Sequence, residues 1–125
     1  MPLELGAAVI DCPEVTALAA FYRKMLGWEN AGVGPGWLEI APPGGGTKIA
    51  FQQKENYRPP LWPEEPPGQQ QMLHLDFKVK DKEEMEKAVA HALACGARKA
   101  GRQYSDSWTV MLDPAGHPFC FALGY

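Results

Sequence analysis

Residues 5–27 read LGAAVIDCPEVTALAAFYRKMLG, and residues 72–96 read MLHLDFKVKDKEEMEKAVAHALACG. Each opens on a short apolar strand, passes through a helix start, continues as an amphipathic stripe and stops at glycine. In the first stretch the strand is expected over 5–9. Asp11 or Cys12 is the expected N-cap, and Pro13 falls in the first helical turn, where its missing N–H leaves nothing unsatisfied. Val15, Leu18, Phe21, Tyr22, Met25 and Leu26 recur at three- and four-residue spacing, the apolar face of a helix that Gly27 ends. In the second stretch the strand covers 72–79 and Asp81 with Glu84 forms a capping pair. Met85, Val89, Ala92 and Leu93 make the buried stripe before Gly96. Ala7 and His74 lie 67 positions apart, as do Glu14 and Asp81, so the two stretches follow one plan.

Three short strands are expected after each helix: 28–33, 37–41 and 47–53, then 97–104, 108–112 and 118–123. Trp37 and Trp108 correspond at an offset of 71, as do Pro43 and Pro114, and Gly45 and Gly116. The shared W-x-x-x-x-x-P-x-G skeleton is a hairpin signal. The chain therefore reads as α+β, a single domain over 1–125 made of two βαβββ modules, about 3–53 and 72–125. A connector over 54–71 joins them. It holds five prolines (Pro59, Pro60, Pro63, Pro66, Pro67) beside Tyr57, Arg58, Leu61 and Trp62. Loops beyond about 12–15 residues are uncommon in compact domains unless they serve as lids or linkers. Stiff backbone with large apolar side chains suits a segment that packs on something, and a plain module connector is the other reading.

Composition narrows the function. The 125 residues carry a net charge of −3, without the basic footprint of a nucleic-acid binder. The longest apolar stretch, residues 7–10, is too short for a signal or a membrane span. Cys12, Cys95 and Cys120 are odd in number and form no C-x-x-C pair, so reduced thiols and a cytoplasmic location are expected. Gly and Pro together make 13 + 12 = 25 residues, a fifth of the chain. The repeat accounts for most of them, as turns, helix stops and connector.

The paired plan, with Phe21, Tyr22, Leu26, Gly27 and Trp28 closing the first helix, resembles the vicinal oxygen chelate superfamily, the glyoxalase, bleomycin-resistance and extradiol dioxygenase group. His74-Leu75-Asp76 and Asp113-Pro114-Ala115-Gly116-His117-Pro118-Phe119 add to the match. With Pro60, Trp62 and Pro63, the chain is most similar to the glyoxalase-like branch of bacterial proteins. The resemblance implies that the modules curl around a cup, that a homodimer forms, and that metal-dependent members draw ligands from the first and last strand of each module. Those positions correspond here to Ala7, His74, Ala50 and Cys120. Two have no donor atom, and a catalytic divalent site needs about three protein ligands. The expectation is therefore no metal or other cofactor, with a divalent ion on His74 and Cys120 as the exception.

Strand alternation sets which side chains share a face. Leu75, Phe77 and Val79 are expected under the helix, which turns His74, Asp76 and Lys78 toward the cup. By the same logic Trp37, Glu39, Gln52, Trp108, Val110 and Cys120 face inward. Trp37, Glu39, Gln52, Trp62, His74 and Trp108 are thus candidate ligand contacts, and His74 and Asp76 candidate catalytic groups. His117 is expected to hold its turn, His91 to be solvated, and Cys120 to be buried and inert. Three readings stay open: a binder of a small aromatic or cationic molecule, an enzyme of lyase, isomerase or dioxygenase type using His74 as ligand or base, and a dimeric interaction module with a vestigial site.

Overall fold

The computed structural model describes residues 2–63 and 68–125. Pro66 and Pro67 of the expected connector lie outside the described residues. The chain divides into two compact units, Met1–Tyr57 and Arg58–Tyr125, so most of the connector belongs to the second.

The first unit contains β1 (Ala7–Cys12), α1 (Val15–Leu26), β2 (Glu29–Gly34), β3 (Trp37–Ala41) and β4 (Lys48–Gln53). Its sheet runs β1-β4-β3-β2, parallel between β1 and β4 and antiparallel elsewhere. The first strand sits later than the expected 5–9, because its ladder begins where β4 begins, at Ala7 opposite Lys48. Leu5 is left exposed.

The N-cap of α1 is Glu14, not Asp11 or Cys12. Cys12 is still paired in the strand, opposite Gln53, whereas Glu14 has extended backbone and its carboxylate accepts from the Thr16 N–H. Pro13 therefore precedes the cap. The helix buries Val15, Leu18, Ala19, Phe21, Tyr22 and Met25 against β3 and β4. Tyr22 stacks on Phe51 at 5.6 Å, and full burial of such a side chain contributes roughly 1.5–3 kcal/mol.

The second unit contains β5 (Pro60–Leu61), β6 (Gln69–Gln70), β7 (Leu75–Lys78), α2 (Lys82–Cys95), β8 (Arg98–Lys99), β9 (Trp108–Leu112) and β10 (Pro118–Ala122). The order β7-β10-β9-β8 repeats that of the first sheet, again with a parallel pair between the first and last strands. Asp81 caps α2 as expected, accepting from the Glu84 N–H at 2.8 Å. The buried stripe is narrower than the pattern suggests: Met85 and Ala92 are buried, but Leu93 is 47% exposed.

Two strands are shorter than expected. The strand expected over 97–104 stops at Lys99, since the Gln103 side chain takes over the pairing. Its Nε2 donates to the Ala100 and Val110 carbonyls and its Oε1 accepts from the Val110 N–H, all within 2.8–2.9 Å. The strand expected over 72–79 keeps only Leu75–Lys78, leaving Met72 and Leu73 exposed. The short parallel pair β5 and β6 in the connector has no counterpart in the repeat.

Candidate functional site

The candidate residues fall into two groups, one in each unit. In the second unit the register runs Asp76 opposite Cys120 and Cys120 opposite Val110. The Ala100 N–H donates to the Val110 carbonyl and extends this row. Alternation places Phe77, Phe119 and Phe121 on the other face, where they pack as tilted and edge-on rings. Ala100, Val110 and Cys120 make an apolar floor on which Trp62, Trp108 and Leu112 pack.

Trp62 lies at the centre of an aromatic group on that floor. Its ring stacks on His74, with centroids 4.9 Å apart and planes 21° apart. It lies nearly parallel to Trp108, at 6.2 Å and 6°, and tilts toward Tyr104 at 5.9 Å. Such pairs contribute about 0.5–1.5 kcal/mol each beyond area burial. The Tyr104 hydroxyl donates to the Pro63 carbonyl at 3.1 Å, tying the segment that carries Trp62 to the sheet side. The Arg102 guanidinium stands 5.4 Å from the Tyr104 ring centroid.

The polar edge of the group is a short chain through Asp76. His74 Nε2 is 3.3 Å from Asp76 Oδ1, and the Tyr125 hydroxyl donates to Asp76 Oδ2 at 2.5 Å. Asp76 holds the Tyr125 phenol above its usual pKa. A neutral His74 that donates Nε2–H to the carboxylate keeps its lone pair on Nδ1, the atom then placed to take a proton. Cys120 is 1% exposed. Burial first, and the Asp76 charge second, push its thiol up to about 12, in keeping with the expected inert cysteine.

His74, Asp76 and Cys120 bring their donor atoms within 4.8 Å of one another, so the residues that could hold an ion are together. The set does not fit the hard divalent ion of metal-dependent relatives, which prefers oxygen ligands. It offers one carboxylate, already facing an imidazole and a phenol, with one imidazole nitrogen and one thiol sulfur as the other donors. A softer ion suits an N, O, S set better.

The first unit uses its carboxylate differently. Glu39 Oε2 accepts from Trp37 Nε1 at 2.9 Å and Oε1 from Lys48 Nζ at 3.0 Å. The Gly32 N–H adds a third donor, and these bonds, with Trp37 foremost, hold the carboxyl below its usual pKa. The approach is close: a Cβ on Gly32 would stand 2.7 Å from Glu39 Oε1. Gln52 lies opposite Trp37 in the ladder and is exposed. Trp37 and Glu39 thus satisfy each other within the strand.

Among the remaining histidines, His91 is exposed, as expected. His117 joins its turn through the backbone: its N–H donates to Asp113 Oδ1 at 3.0 Å, and its carbonyl accepts from the Asp113 N–H at 2.9 Å. Sequence reasoning missed Tyr104 and Tyr125. Tyr104 was hidden inside an expected strand, and Tyr125 lies beyond the last strand, where no periodicity orients it. Lys48 was legible as a same-face neighbour of Ala50 and Gln52.

The sequence matches the model of the glyoxalase-like domain family over residues 7–122. The chain belongs to this family, within the vicinal oxygen chelate superfamily. Solved structures agree on the fold. A glyoxalase/bleomycin resistance protein/dioxygenase family enzyme from Burkholderia phytofirmans PsJN is 20% identical, with a TM-score of 0.71 over 95% of this chain and 97% of that one. A glyoxylase/bleomycin resistance protein/dioxygenase domain from Frankia sp. EAN1pec is 18% identical, with a TM-score of 0.70 over all of both chains. A lactoylglutathione lyase from Agrobacterium tumefaciens is 18% identical, with a TM-score of 0.67 over 98% and 95%. No curated protein matches. The glyoxalase-like chain thus shares its fold with these structures, and identities this low carry nothing finer. Among its described residues no helix is long and apolar enough to cross a membrane.

Proposed function

We propose that this glyoxalase-like protein binds a small planar aromatic molecule, cationic or carrying a cationic group, on the His74 face of the second unit's sheet, without a metal ion. One observation carries the reading: Trp62 and Trp108 pack on an apolar floor, Tyr104 and His74 meet the Trp62 ring, and the Asp76 carboxylate stands at the edge beside His74. Flat π-faces over apolar surface favour a planar ligand, and a carboxylate beside them favours positive charge. The negative net charge acts in the same direction at long range. The three thiols, with no disulfide among the described residues, suit a reducing, cytoplasmic setting.

The test is calorimetric titration of the full chain with N-methylquinolinium, a planar aromatic cation. Binding that Trp108→Ala and Asp76→Asn each weaken at least tenfold supports the proposal. No binding, or binding that both variants leave unchanged, refutes it. The chain from Tyr125 through Asp76 to His74 favours a second reading, in which the bound molecule loses a proton to His74 in a lyase- or isomerase-type step. Under that reading His74→Gln retains binding and abolishes turnover.

A further inference from the structure

Resting on the binding reading above, we infer that Trp62 is a built-in occupant of this site, an indole seated where a planar ligand goes, which the ligand must displace. The reasoning starts from spacing. A flat ring sandwiched between two others separates them by two contact distances, about 7 Å from two contacts of ~3.5 Å. Trp62 and His74 are 4.9 Å apart, and Trp62 and Trp108 are 6.2 Å apart and nearly parallel. Neither gap admits a third ring. Trp62 also packs on Ala100, Val110 and Cys120, which closes the route from the floor side. A planar molecule reaches the His74 face and the floor that Trp62 covers only when Trp62 leaves.

The segment carrying Trp62 is built for seating rather than for permanent burial. Residues 59–63 contain Pro59, Pro60 and Pro63, so they donate few backbone hydrogen bonds and bring a stiff backbone. Pro59 presses on the β9–β10 turn, where a Cβ on Gly116 would stand 3.0 Å from its own Cβ. The Tyr104 hydroxyl holds the Pro63 carbonyl, and β5 makes only a two-residue pairing with β6. Among the described residues these hydrogen-bonded holds are few, and Trp62 is only half-buried. The first unit has no counterpart among the described residues. At the register position of Val110 it carries Glu39, paired with Trp37 and Lys48, and its Trp37 donates within its own strand.

A protein whose competent state is a minor population binds more weakly by that fraction. Removing the occupant should therefore tighten binding, whereas removing a wall of the site would weaken it. Wild type, Trp62→Ala and Trp62→Phe are titrated with N-methylquinolinium, and hydrogen exchange is followed in peptides spanning 58–63. The expected result is binding at least tenfold tighter in Trp62→Ala and faster exchange of 58–63 when the probe binds wild type. Equal or weaker binding by Trp62→Ala, or greater protection of 58–63 with probe bound, overturns the inference while leaving the binding reading intact. Should Trp62→Ala not fold, the wild-type exchange decides alone. If wild type does not bind the probe, the binding reading itself falls, and this inference with it.

Discussion

Alkylation of Cys120 puts the chemistry of the site to a quantitative test. An ordinary thiol of pKa 9.0 is about one-tenth thiolate at pH 8, but Cys120, pushed up to about 12, is about one ten-thousandth thiolate. Only the thiolate attacks an alkylating agent. The deficit alone makes Cys120 about a thousandfold slower in the native protein than in urea, and its 1% exposure slows it further. Iodoacetamide labelling followed by peptide mass spectrometry reads each cysteine separately. Part-exposed Cys95 should label first, and the native Cys120 rate should keep climbing through pH 10 without a plateau near 9. Desolvation is the largest single cause, and Asp76 raises the thiol further through both its charge and its hydrogen bond, so Asp76→Asn should quicken Cys120 without bringing it to the rate in urea. Native labelling of Cys120 within tenfold of its rate in urea would refute the assignment of a buried, charge-repelled thiol.

Because Glu39 is held below its usual pKa by Trp37 and Lys48, wild type should exceed Glu39→Gln in stability above that usual value, 4.5. The advantage should vanish as pH falls through the lowered pKa, which urea melts at a series of pH values would show. Gly32→Ala drives a methyl group into the same carboxylate, so its cost should overlap with that of Glu39→Gln in the double variant rather than add to it. The Tyr125 phenol is raised by Asp76. In Asp76→Asn its ultraviolet titration should move down toward 10, while an unmoved midpoint would contradict the contact. Asp81→Ala removes the α2 cap and should lower stability by about 1 kcal/mol in thermal or urea melts. No loss would mean that water serves the Glu84 N–H equally well.

The repeat was legible because both copies obey the same two periodicities and stop at glycines. The strands over 37–41 and 108–112 match the structure, since a tryptophan and a turn proline bracket each. Strand ends were less legible wherever a side chain substituted for backbone pairing, as Gln103 does, or where the partner strand set the limit, as Lys48 does for β1. Glu14 was missed as a cap because the start of α1 is fixed by how far the β1 ladder runs, which is a tertiary fact. The site was half legible. Alternation placed His74, Asp76, Trp108 and Cys120 on one face, and the sequence marked Trp62. It could not show that Trp62 lands on His74, because no period governs an 18-residue proline-rich stretch. Nor could it show that Glu39 is consumed by its own neighbours.

Three donors around one carboxylate have a consequence for how each half tolerates change. Glu39 has Trp37, Lys48 and the Gly32 N–H already bound to it, so the first half spends its charge on its own architecture. Asp76 shares a row with Cys120 and meets the His74 ring and the Tyr125 hydroxyl at the edge of the aromatic group. The two copies of one βαβββ plan thus place their acidic side chains in different surroundings, Glu39 inside its own strand pairing and Asp76 beside the aromatic group. In a deep mutational scan, substitutions at 32, 37, 39 and 48 should register in abundance assays and substitutions at 62, 74, 76 and 108 in ligand-dependent ones, two maps drawn on one repeated scaffold.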